Sequence, residues 1–316
     1  MISVAIAAYN GERFILEQLE SIRCQTVPVD EVIIGDDCST DQTVEICRSF
    51  IAENNLTGWR VQLHDENRGY CYNFYDAIEE CQGDVIFLAD QDDVWHPDKV
   101  EKMMACLAEH PDLAVLSSRY GVIDAESNPI PDSGVTYLGT VYDDSLEMTT
   151  TESMIGCSYI RGFSLCFRKK LKEVLRPIDL QSLLSHDWLI SILGTLQGGT
   201  GILNTVLAEY RYHGDNVTLS SMSRKTRVRR LEKRKKGLRE SIEGHQYVAG
   251  LVALPPLQKE FESFIAFEKK RLRFLETGNL FRWIALFFKM SQYNRYYKGN
   301  GIRVWLGDLS YALKRE

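Results

Sequence analysis

The chain has 316 residues, 44% hydrophobic and 26% charged, which is typical of a soluble globular protein with one large domain and an appendage, or with two modest domains. The formal net charge of −7 divides unevenly, because residues 1–221 carry −20 and residues 222–316 carry +13. No stretch approaches the roughly 20 apolar residues that span a bilayer, and the first residues lack the basic region of a signal peptide. The eight cysteines include no C-x-x-C pair, so we expect reduced thiols in a cytosolic protein and no zinc site.

The first 110 residues alternate between predicted strands and predicted helices. Apolar runs predict strands at 2–8, 31–37, 59–64 and 85–89, and apolar positions at helical spacing predict helices at about 15–22, after 39–41, at 69–81 and from Pro97. This alternation predicts a parallel sheet with helices on both faces. Right-handed crossovers bring the carboxyl ends of such strands to one edge, where ligands bind.

Residues 113–222 follow a less regular pattern. We predict strands at 113–124, 163–167 and 206–216, the last breaking at His213-Gly214, with a long polar loop at 125–155 and a short helix at 185–196. The composition becomes strongly basic from Ser223. We therefore predict two domains, 1–222 and 223–316.

Three carboxylates, Asp90, Asp92 and Asp93, follow the apolar strand at 85–89. One interpretation is a solvated loop that caps the next helix, but His96 is placed to cap that helix ahead of Pro97. Hard oxygen ligands at a sheet edge suit Mg²⁺ or Mn²⁺, usually held by one or two carboxylates and substrate phosphates. We therefore predict a metal site that neutralises a diphosphate leaving group.

Other residues at the same edge suit the rest of a nucleotide. Asp37 could accept the N3–H of uracil or thymine, and Tyr9 could supply a ring for the base. Arg68 could contact a phosphate or pair with a surface acid, and both interpretations stay open. No G-x-G-x-x-G or Walker A stretch is present, which disfavours a dinucleotide or P-loop cradle.

Six stretches occur in register: VAIAAYNGERFILEQLESIRCQT, EVIIGDDCSTDQT, NRGY, ADQDDVWHPDK, SHDW and YRYHGDN. Over about residues 1–220 they resemble family 2 glycosyltransferases with the GT-A fold, most of all bacterial rhamnosyltransferases of surface-polysaccharide assembly. The resemblance implies an α/β fold, inverting sugar transfer from a nucleotide sugar and a divalent metal. It implies donor binding at about 1–110 and the acceptor side at about 111–222.

The resemblance also implies roles for individual residues. Asp90 and Asp92 match the family's D-x-D, with Asp92 as the metal-contacting acid, and Asp37 matches the base-binding aspartate. Asp187 matches the catalytic base, although the family more often has Glu where this chain has His186, so both residues are candidates for the proton acceptor. The nucleotide-binding set is Ala7, Tyr9, Asp37, Arg68 and Asp90.

Two of these candidates have simpler interpretations. Asp187 lies near the start of a predicted helix after Ser185, where a carboxylate also favours the helix dipole. An acceptor hydroxyl nevertheless needs a positioned base, as it must lose a proton while it attacks. His213 is a turn residue before Gly214 or, as the resemblance implies, a metal or phosphate contact; Arg211 and Asn216 are weaker candidates.

The carboxy-terminal region is basic and amphipathic. Residues 223–240 carry ten Lys and Arg against two acids. Two apolar stripes follow, one made of Leu280, Trp283, Ile284, Phe287 and Phe288, and the other of Ile302, Trp305, Leu306, Leu309 and Leu313. Such stripes beside basic residues suit helices that lie on an anionic membrane. Helices packed on the catalytic domain or on a homodimer partner are the alternative.

These observations predict an enzyme on the cytoplasmic face of the cell membrane. We expect Mg²⁺ or Mn²⁺, a UDP- or dTDP-linked donor with L-rhamnose as one option for the sugar, and a glycan or lipid-linked glycan acceptor. A nucleotidyltransferase on a similar sheet is one alternative, although it usually carries a Gly-rich phosphate loop. A nucleic-acid-binding protein is the other, but the basic run lacks interleaved aromatics and the −20 body would repel phosphates.

Overall fold

The computed structural model describes residues 1–130, 143–156, 160–175, 185–213, 227–297 and 300–312. These residues form two compact units. The first contains the described residues up to 150 together with 160–175 and 185–213, and the second contains 151–156 and the described residues from 227 onward. The predicted boundary between residues 222 and 223 lies outside the described residues.

The first unit opens with the predicted alternation of strands and helices. Its strands are β1 (Ile2–Ala8), β2 (Glu31–Asp36), β3 (Trp59–Leu63) and β4 (Val85–Asp90), which pair in parallel in the order β3-β2-β1-β4. Its helices are α1 (Ile15–Arg23), α2 (Thr43–Glu53), α3 (Tyr70–Glu80) and α4 (Lys99–Glu109). The α/β prediction for this half is confirmed.

The other half of the sheet is mixed. It contains β5 (Val94–Trp95), β6 (Val115–Ile123), β7 (Leu146–Thr149), β8 (Leu165–Arg168) and β9 (Thr200–Arg211). Strand β8 lies antiparallel between β4 and β6, β6 pairs with β9 in parallel, and β5 and β7 pair with β9 in antiparallel. The order is β3-β2-β1-β4-β8-β6-β9-β5, with β7 on β9. The described part of the sheet is therefore less parallel than the sequence indicates.

The middle of the chain holds more regular structure than predicted. The expected loop at 125–155 contains β7 and the short helix α5 (Thr151–Met154), and the strand expected from residue 206 begins at Thr200. Two further helices, α6 (Lys172–Leu175) and α7 (His186–Leu196), complete this region. The apolar pattern does not predict β7, because this edge strand contains polar residues such as Glu147 and Thr149. An edge strand can form without an apolar run.

The prediction that His96 caps α4 is wrong. Helix α4 begins at Lys99 after Asp98, and no side chain caps it. The His96 ring instead places Nε2 2.8 Å from Glu209 Oε1 on β9. This side chain makes a long-range contact, which local spacing cannot reveal.

The burial of β4 agrees with its central position in the sheet. The five residues 85–89 of β4 are at most 3% exposed, as expected for a central strand covered on both faces. Helix α1 turns Ile15, Leu19 and Ile22 into the same core.

Of the described cysteines, all of which are free, Cys47, Cys81, Cys106 and Cys166 are buried, whereas Cys24 is exposed.

The second unit is helical, as predicted. Its main helices are α8 (Arg227–Leu251), α9 (Pro255–Thr277), α10 (Leu280–Phe287), α11 (Met290–Tyr296) and α12 (Gly301–Ala312). Buried Arg271 joins α9 to α12 through two hydrogen bonds to Asp308, of 2.8 and 2.9 Å, and also pairs with Glu268 at 2.7 Å. Within the described residues, no helix has the length and apolar character needed to cross a membrane.

Candidate active site

Strand register gathers the predicted nucleotide-binding residues at one edge of the sheet. Ala7 of β1 lies opposite Asp90 of β4, and the next residue, Ala8, lies opposite Asp36 of β2. The Asp37 N–H donates to the Ala8 carbonyl at 2.9 Å. Tyr9, directly beyond β1, is 47% exposed, so its ring is accessible to a base. The strand ends therefore bring Ala7, Tyr9, Asp37 and Asp90 together.

Gln91, inside the D-x-D, holds the main chain of Tyr9. Its Oε1 accepts from the Tyr9 N–H at 2.8 Å and its Nε2 donates to the Tyr9 carbonyl at 3.0 Å. A Cβ on Gly11 would lie 2.2 Å from Gln91 Oε1, so a larger residue there would displace this amide. Sequence reasoning missed Gln91; the one available signal is its position between two acids.

Asp37 organises the loop before α3. Its two carboxylate oxygens accept hydrogen bonds from the main-chain N–H groups of Arg68 and Gly69, both at 2.8 Å. The Arg68 side chain pairs with Asp76 at 2.9 Å and stacks over the Tyr72 ring at 4.4 Å. Of the two interpretations of Arg68, the surface ion pair is the contact that this structure contains.

Asp90, Asp92 and Asp93, here called the acid cluster, concentrate negative charge at the end of β4. Burial, with the charges of Asp92 and Asp187, raises the pKa of Asp90 well above its usual range. Burial, with the charges of Asp92 and Asp90, does the same to the pKa of Asp93. Lys99 is a buried basic residue near these acids: it donates to the Phe163 carbonyl at 2.6 Å, and burial lowers the pKa of its ammonium to about 7. A further cation would relieve this crowding.

Asp92 and His213, two of the predicted metal ligands, are in direct contact. His213 Nε2 lies 2.7 Å from Asp92 Oδ2, and the two side chains are only 10% and 16% exposed. Among the described residues, no three His, Cys, Asp or Glu side chains form a metal cage. The Asp92 carboxylate suits Mg²⁺ or Mn²⁺, so Asp92 and His213 are candidates for part of a ligand set that substrate phosphates would complete.

Arg211 fixes the loop that carries the acids. Its side chain is fully buried, its Nε donates to the Asp92 carbonyl at 2.8 Å, and its main-chain N–H donates to Asp93 Oδ1 at 2.9 Å. Its Nη2 pairs with Glu17 of α1 at 2.6 Å. Arg211, a weak candidate by sequence, thus positions the acid cluster. The other weak candidate, Asn216, lies outside the described residues.

The two candidates for the catalytic base occupy different surroundings at the start of α7. The His186 ring stacks on Phe74 with centroids 4.1 Å apart and is 5% exposed, and neither ring nitrogen has a hydrogen-bond partner among the described residues. Burial lowers its pKa, so the ring is neutral. Asp187 is 8% exposed and accepts from the Trp188 N–H at 2.6 Å. Ser185 occupies the N-cap position of α7 without a side-chain cap hydrogen bond, and Asp187 lies in the first turn, as its simpler interpretation expects.

Asp187 belongs electrostatically to the acid cluster. Its charge raises the pKa of Asp90, which places the two carboxylates within electrostatic reach of each other. The charge of Asp187 also contributes, after the Tyr120 hydroxyl, to raising the pKa of the nearby Arg161 guanidinium. The first unit therefore gathers base-binding, metal-binding and proton-accepting candidates at the same sheet edge.

Comparison with known proteins agrees with this geometry. Residues 3–175 match the family described as glycosyl transferase family 2. The chain belongs to glycosyltransferase family 2. It is a glycosyltransferase with the GT-A fold, which confirms the resemblance seen in its motifs.

Relatives and solved structures support the assignment. TuaG of Bacillus subtilis, named as a putative teichuronic acid biosynthesis glycosyltransferase, is 27% identical over 220 residues, covering 69% of this chain and 81% of TuaG. The dTDP-rhamnosyl transferase RfbG of Shigella flexneri is 27% identical over 230 residues, covering 72% and 78%. The mannosyltransferase PcManGT from Pyrobaculum calidifontis, solved with GDP-Man and Mn²⁺, superimposes with a TM-score of 0.59 at 17% identity, covering 99% and 84%.

Proposed function

We propose that this glycosyltransferase moves a sugar from a nucleoside diphosphate sugar to a hydroxyl of a growing glycan in bacterial surface-polysaccharide synthesis. The observation that carries the proposal is the juxtaposition of Asp37, the Asp92–His213 pair and Asp187 around one sheet edge. The names of TuaG and RfbG favour a polysaccharide product, and RfbG favours L-rhamnose as the sugar.

The donor nucleotide binds across the ends of β1 and β2. Tyr9 offers an exposed ring for the base, and the Asp37 carboxylate, which is only 2% exposed, keeps lone pairs that could accept the N3–H of uracil or thymine. Because the Arg68 and Gly69 N–H groups already hold this carboxylate, it is fixed before the donor arrives. We assign UDP or dTDP donors on this basis.

Asp92 and His213, with Asp90 beside them, would hold Mg²⁺ or Mn²⁺. The ion supplies positive charge to the diphosphate leaving group when it is bound. Arg211 contributes by fixing the Asp92 main chain, so the carboxylate keeps its direction toward His213. The solved structure of PcManGT with GDP-Man and Mn²⁺ supports this assignment.

Asp187 acts as the base in an inverting displacement. A bond forms between the acceptor oxygen and the anomeric carbon, the bond from that carbon to the diphosphate oxygen breaks, and the hydroxyl proton passes to Asp187. His186 is buried against Phe74 with no hydrogen-bond partner among the described residues, so taking up a proton would place an unpaired charge away from water, which favours Asp187 in this role. Attack opposite the leaving group inverts the anomeric configuration.

A donor screen tests the proposed function. The protein is incubated with UDP-, dTDP- and GDP-linked sugars, with Mn²⁺ or with chelator, and released nucleoside diphosphate is measured. We expect release from a UDP- or dTDP-linked sugar that needs the metal and is lost in Asp92→Asn. Pyrophosphate release from a nucleoside triphosphate and sugar phosphate would instead show a nucleotidyltransferase and refute the proposal.

A further inference from the structure

Helix α10 leaves most of its apolar surface uncovered. Phe281 and Phe288 are 82% and 78% exposed, and Leu280, Ile284 and Phe287 are about half exposed. These five residues, here called the α10 stripe, recur at the spacing of one helical face. Within the helix only Leu286 is buried. Monomeric soluble proteins rarely display so continuous an apolar patch unless it contacts something.

The α10 stripe is held in a defined shape. Asn279 Oδ1 accepts from the N–H groups of Phe281 at 2.9 Å and Arg282 at 3.3 Å, which caps the start of the helix. The Trp283 and Trp305 rings stack 3.9 Å apart with planes 10° from parallel, and each indole N–H donates to the other residue's carbonyl at 3.1 Å. Helix α10 is thereby fixed to α12.

The segment that carries the stripe is basic and free of acids. Residues 277–307 contain no Asp or Glu and five Lys or Arg. The acid that follows, Asp308, is fully buried and bound by Arg271. Arg282 lies on the helix itself, and Lys289 directly follows its last turn. The stripe is therefore carried by a positively charged segment.

In the segment 277–307 Arg295 pairs with Glu260 at 3.0 Å, but the described part of the basic run on α8 is paired more fully. Acids neutralise four of its basic side chains, in the pairs Lys235–Glu232, Lys236–Glu240, Arg239–Glu276 and Arg234–Asp308. Attraction to an anionic surface therefore belongs more to the region around α10 than to this part of α8. The density of Lys and Arg in the sequence favours α8 instead, because it does not show which charges are paired.

We propose that the α10 stripe docks on an anionic lipid bilayer, with Phe281 and Phe288 inserted at the headgroup boundary. Phe and Leu on one face with Arg and Lys around them match helices that lie in a membrane interface. A second copy fits less well, because an isologous contact would bring two basic, acid-free segments together. The inference does not depend on the proposed sugar transfer.

Vesicle flotation of the full chain tests the docking surface. We expect binding to phosphatidylcholine vesicles that contain phosphatidylglycerol, weaker binding in high salt, and little binding to phosphatidylcholine alone. The double variant Phe281→Ser/Phe288→Ser should reduce the fraction of protein bound to the vesicles by about tenfold or more. Its matched control is Leu251→Ser/Leu254→Ser, which changes two apolar residues of the same unit that are 44% and 64% exposed, and which should bind like the parent.

Four further readouts separate the outcomes. Arg282→Gln/Lys289→Gln should weaken flotation while leaving the apolar stripe intact, and melting temperatures should stay within a degree or so of the parent because all four residues lie at the surface. Flotation of Phe281→Ser/Phe288→Ser equal to the parent would overturn the proposal. A parent dimer that this variant converts to monomer, without vesicle binding by the parent, would overturn it in favour of a second copy. Nucleoside diphosphate release with soluble substrates tests the sugar transfer separately.

Discussion

Gln91 and Tyr9 are joined by a two-point contact, in which the Gln91 amide accepts from the Tyr9 N–H and donates to the Tyr9 carbonyl. The contact ties the loop after β4, which carries Asp90 and Asp92, to the loop after β1. Under the proposed function, a base at Tyr9 and a diphosphate beside Asp92 would belong to one donor molecule. The distance between these two proposed binding sites would then be set by Gln91, a side chain that need not touch the donor.

Replacing Gln91 by Ala should weaken donor binding more than turnover. Two hydrogen bonds worth about 0.5–1.5 kcal/mol each are lost, so we expect the affinity for UDP or dTDP to fall by about tenfold. Isothermal titration calorimetry with metal present measures this. Gln82→Ala, at the opposite end of β4, is the matched control. Unchanged affinity in Gln91→Ala would show that the two loops hold their positions without the amide.

The Asp92–His213 pair should make nucleotide binding dependent on a divalent ion. With Mn²⁺ present, Asp92→Asn and His213→Ala should each weaken nucleoside diphosphate binding, whereas in chelator the parent and both variants should bind alike. Removing a metal ligand commonly costs a large part of the metal affinity. Calorimetry in Mn²⁺ and in EDTA makes the comparison. Equal affinity of the parent with and without the metal would contradict the assignment.

Local sequence pattern predicts the parallel half of the sheet, which β1 to β4 form. The runs at β1, β2 and β4 are apolar because both faces of those strands are covered, and their carboxyl ends converge through right-handed crossovers. Asp37 and Asp92 can therefore be placed at one edge of the sheet from the sequence alone. Strand β7 and the true start of β9 cannot, because pairing between strands distant in sequence determines them.

The contacts that support the site are not visible in the sequence. Arg211 is a basic residue in an alternating strand, and nothing in its neighbours shows that it crosses to Glu17 and to the Asp92 carbonyl. The spacing around His96 predicts a helix cap, whereas the ring reaches Glu209. In each case a long polar side chain reaches a partner more than a hundred residues away, which sequence spacing does not encode.

Buried His245 should make the second unit sensitive to acid. Its Nδ1 lies 2.6 Å from the Ser241 carbonyl, its ring packs 4.3 Å from Phe264, and burial lowers its pKa from 6.5 to about 4. The folded ring stays neutral while the unfolded chain takes up a proton. The stability it contributes is therefore complete above pH 6.5 and lost as pH falls toward 4, by roughly 2 to 3 kcal/mol.

Urea unfolding at pH 7.5 and pH 5, followed by tryptophan fluorescence, tests the acid sensitivity. His245→Phe removes the titrating group and keeps an aromatic ring beside Phe264, so its unfolding midpoint should fall less between the two pH values than that of the parent. His110→Gln, an exposed histidine of the first unit, should leave the pH dependence unchanged. An identical loss of stability in the parent and in His245→Phe would assign the effect to other groups.

Asp187 should be needed for transfer but not for donor binding, because we propose that it acts on the acceptor hydroxyl and that Asp37 and Asp92 act on the nucleotide. Asn in its place can still accept from the Trp188 N–H and occupies the same position near the start of α7, but it has little basicity. We therefore expect Asp187→Asn to lower turnover by about 10²- to 10⁴-fold, the usual contribution of a positioned proton acceptor. Donor affinity and melting temperature should barely change.

His186→Phe completes the test of the base, since phenylalanine keeps the stack on Phe74 and removes both ring nitrogens. If Asp187 takes the proton, His186→Phe should retain most of its turnover in the same assay. His186→Ala would confuse the result, because it leaves a cavity against Phe74 whose cost is structural. A His186→Phe variant without activity, beside an Asp187→Asn variant that turns over normally, would transfer the role of base to the histidine. The neutral state that burial imposes on His186 leaves it able to accept a proton, so turnover of the two variants decides between the residues.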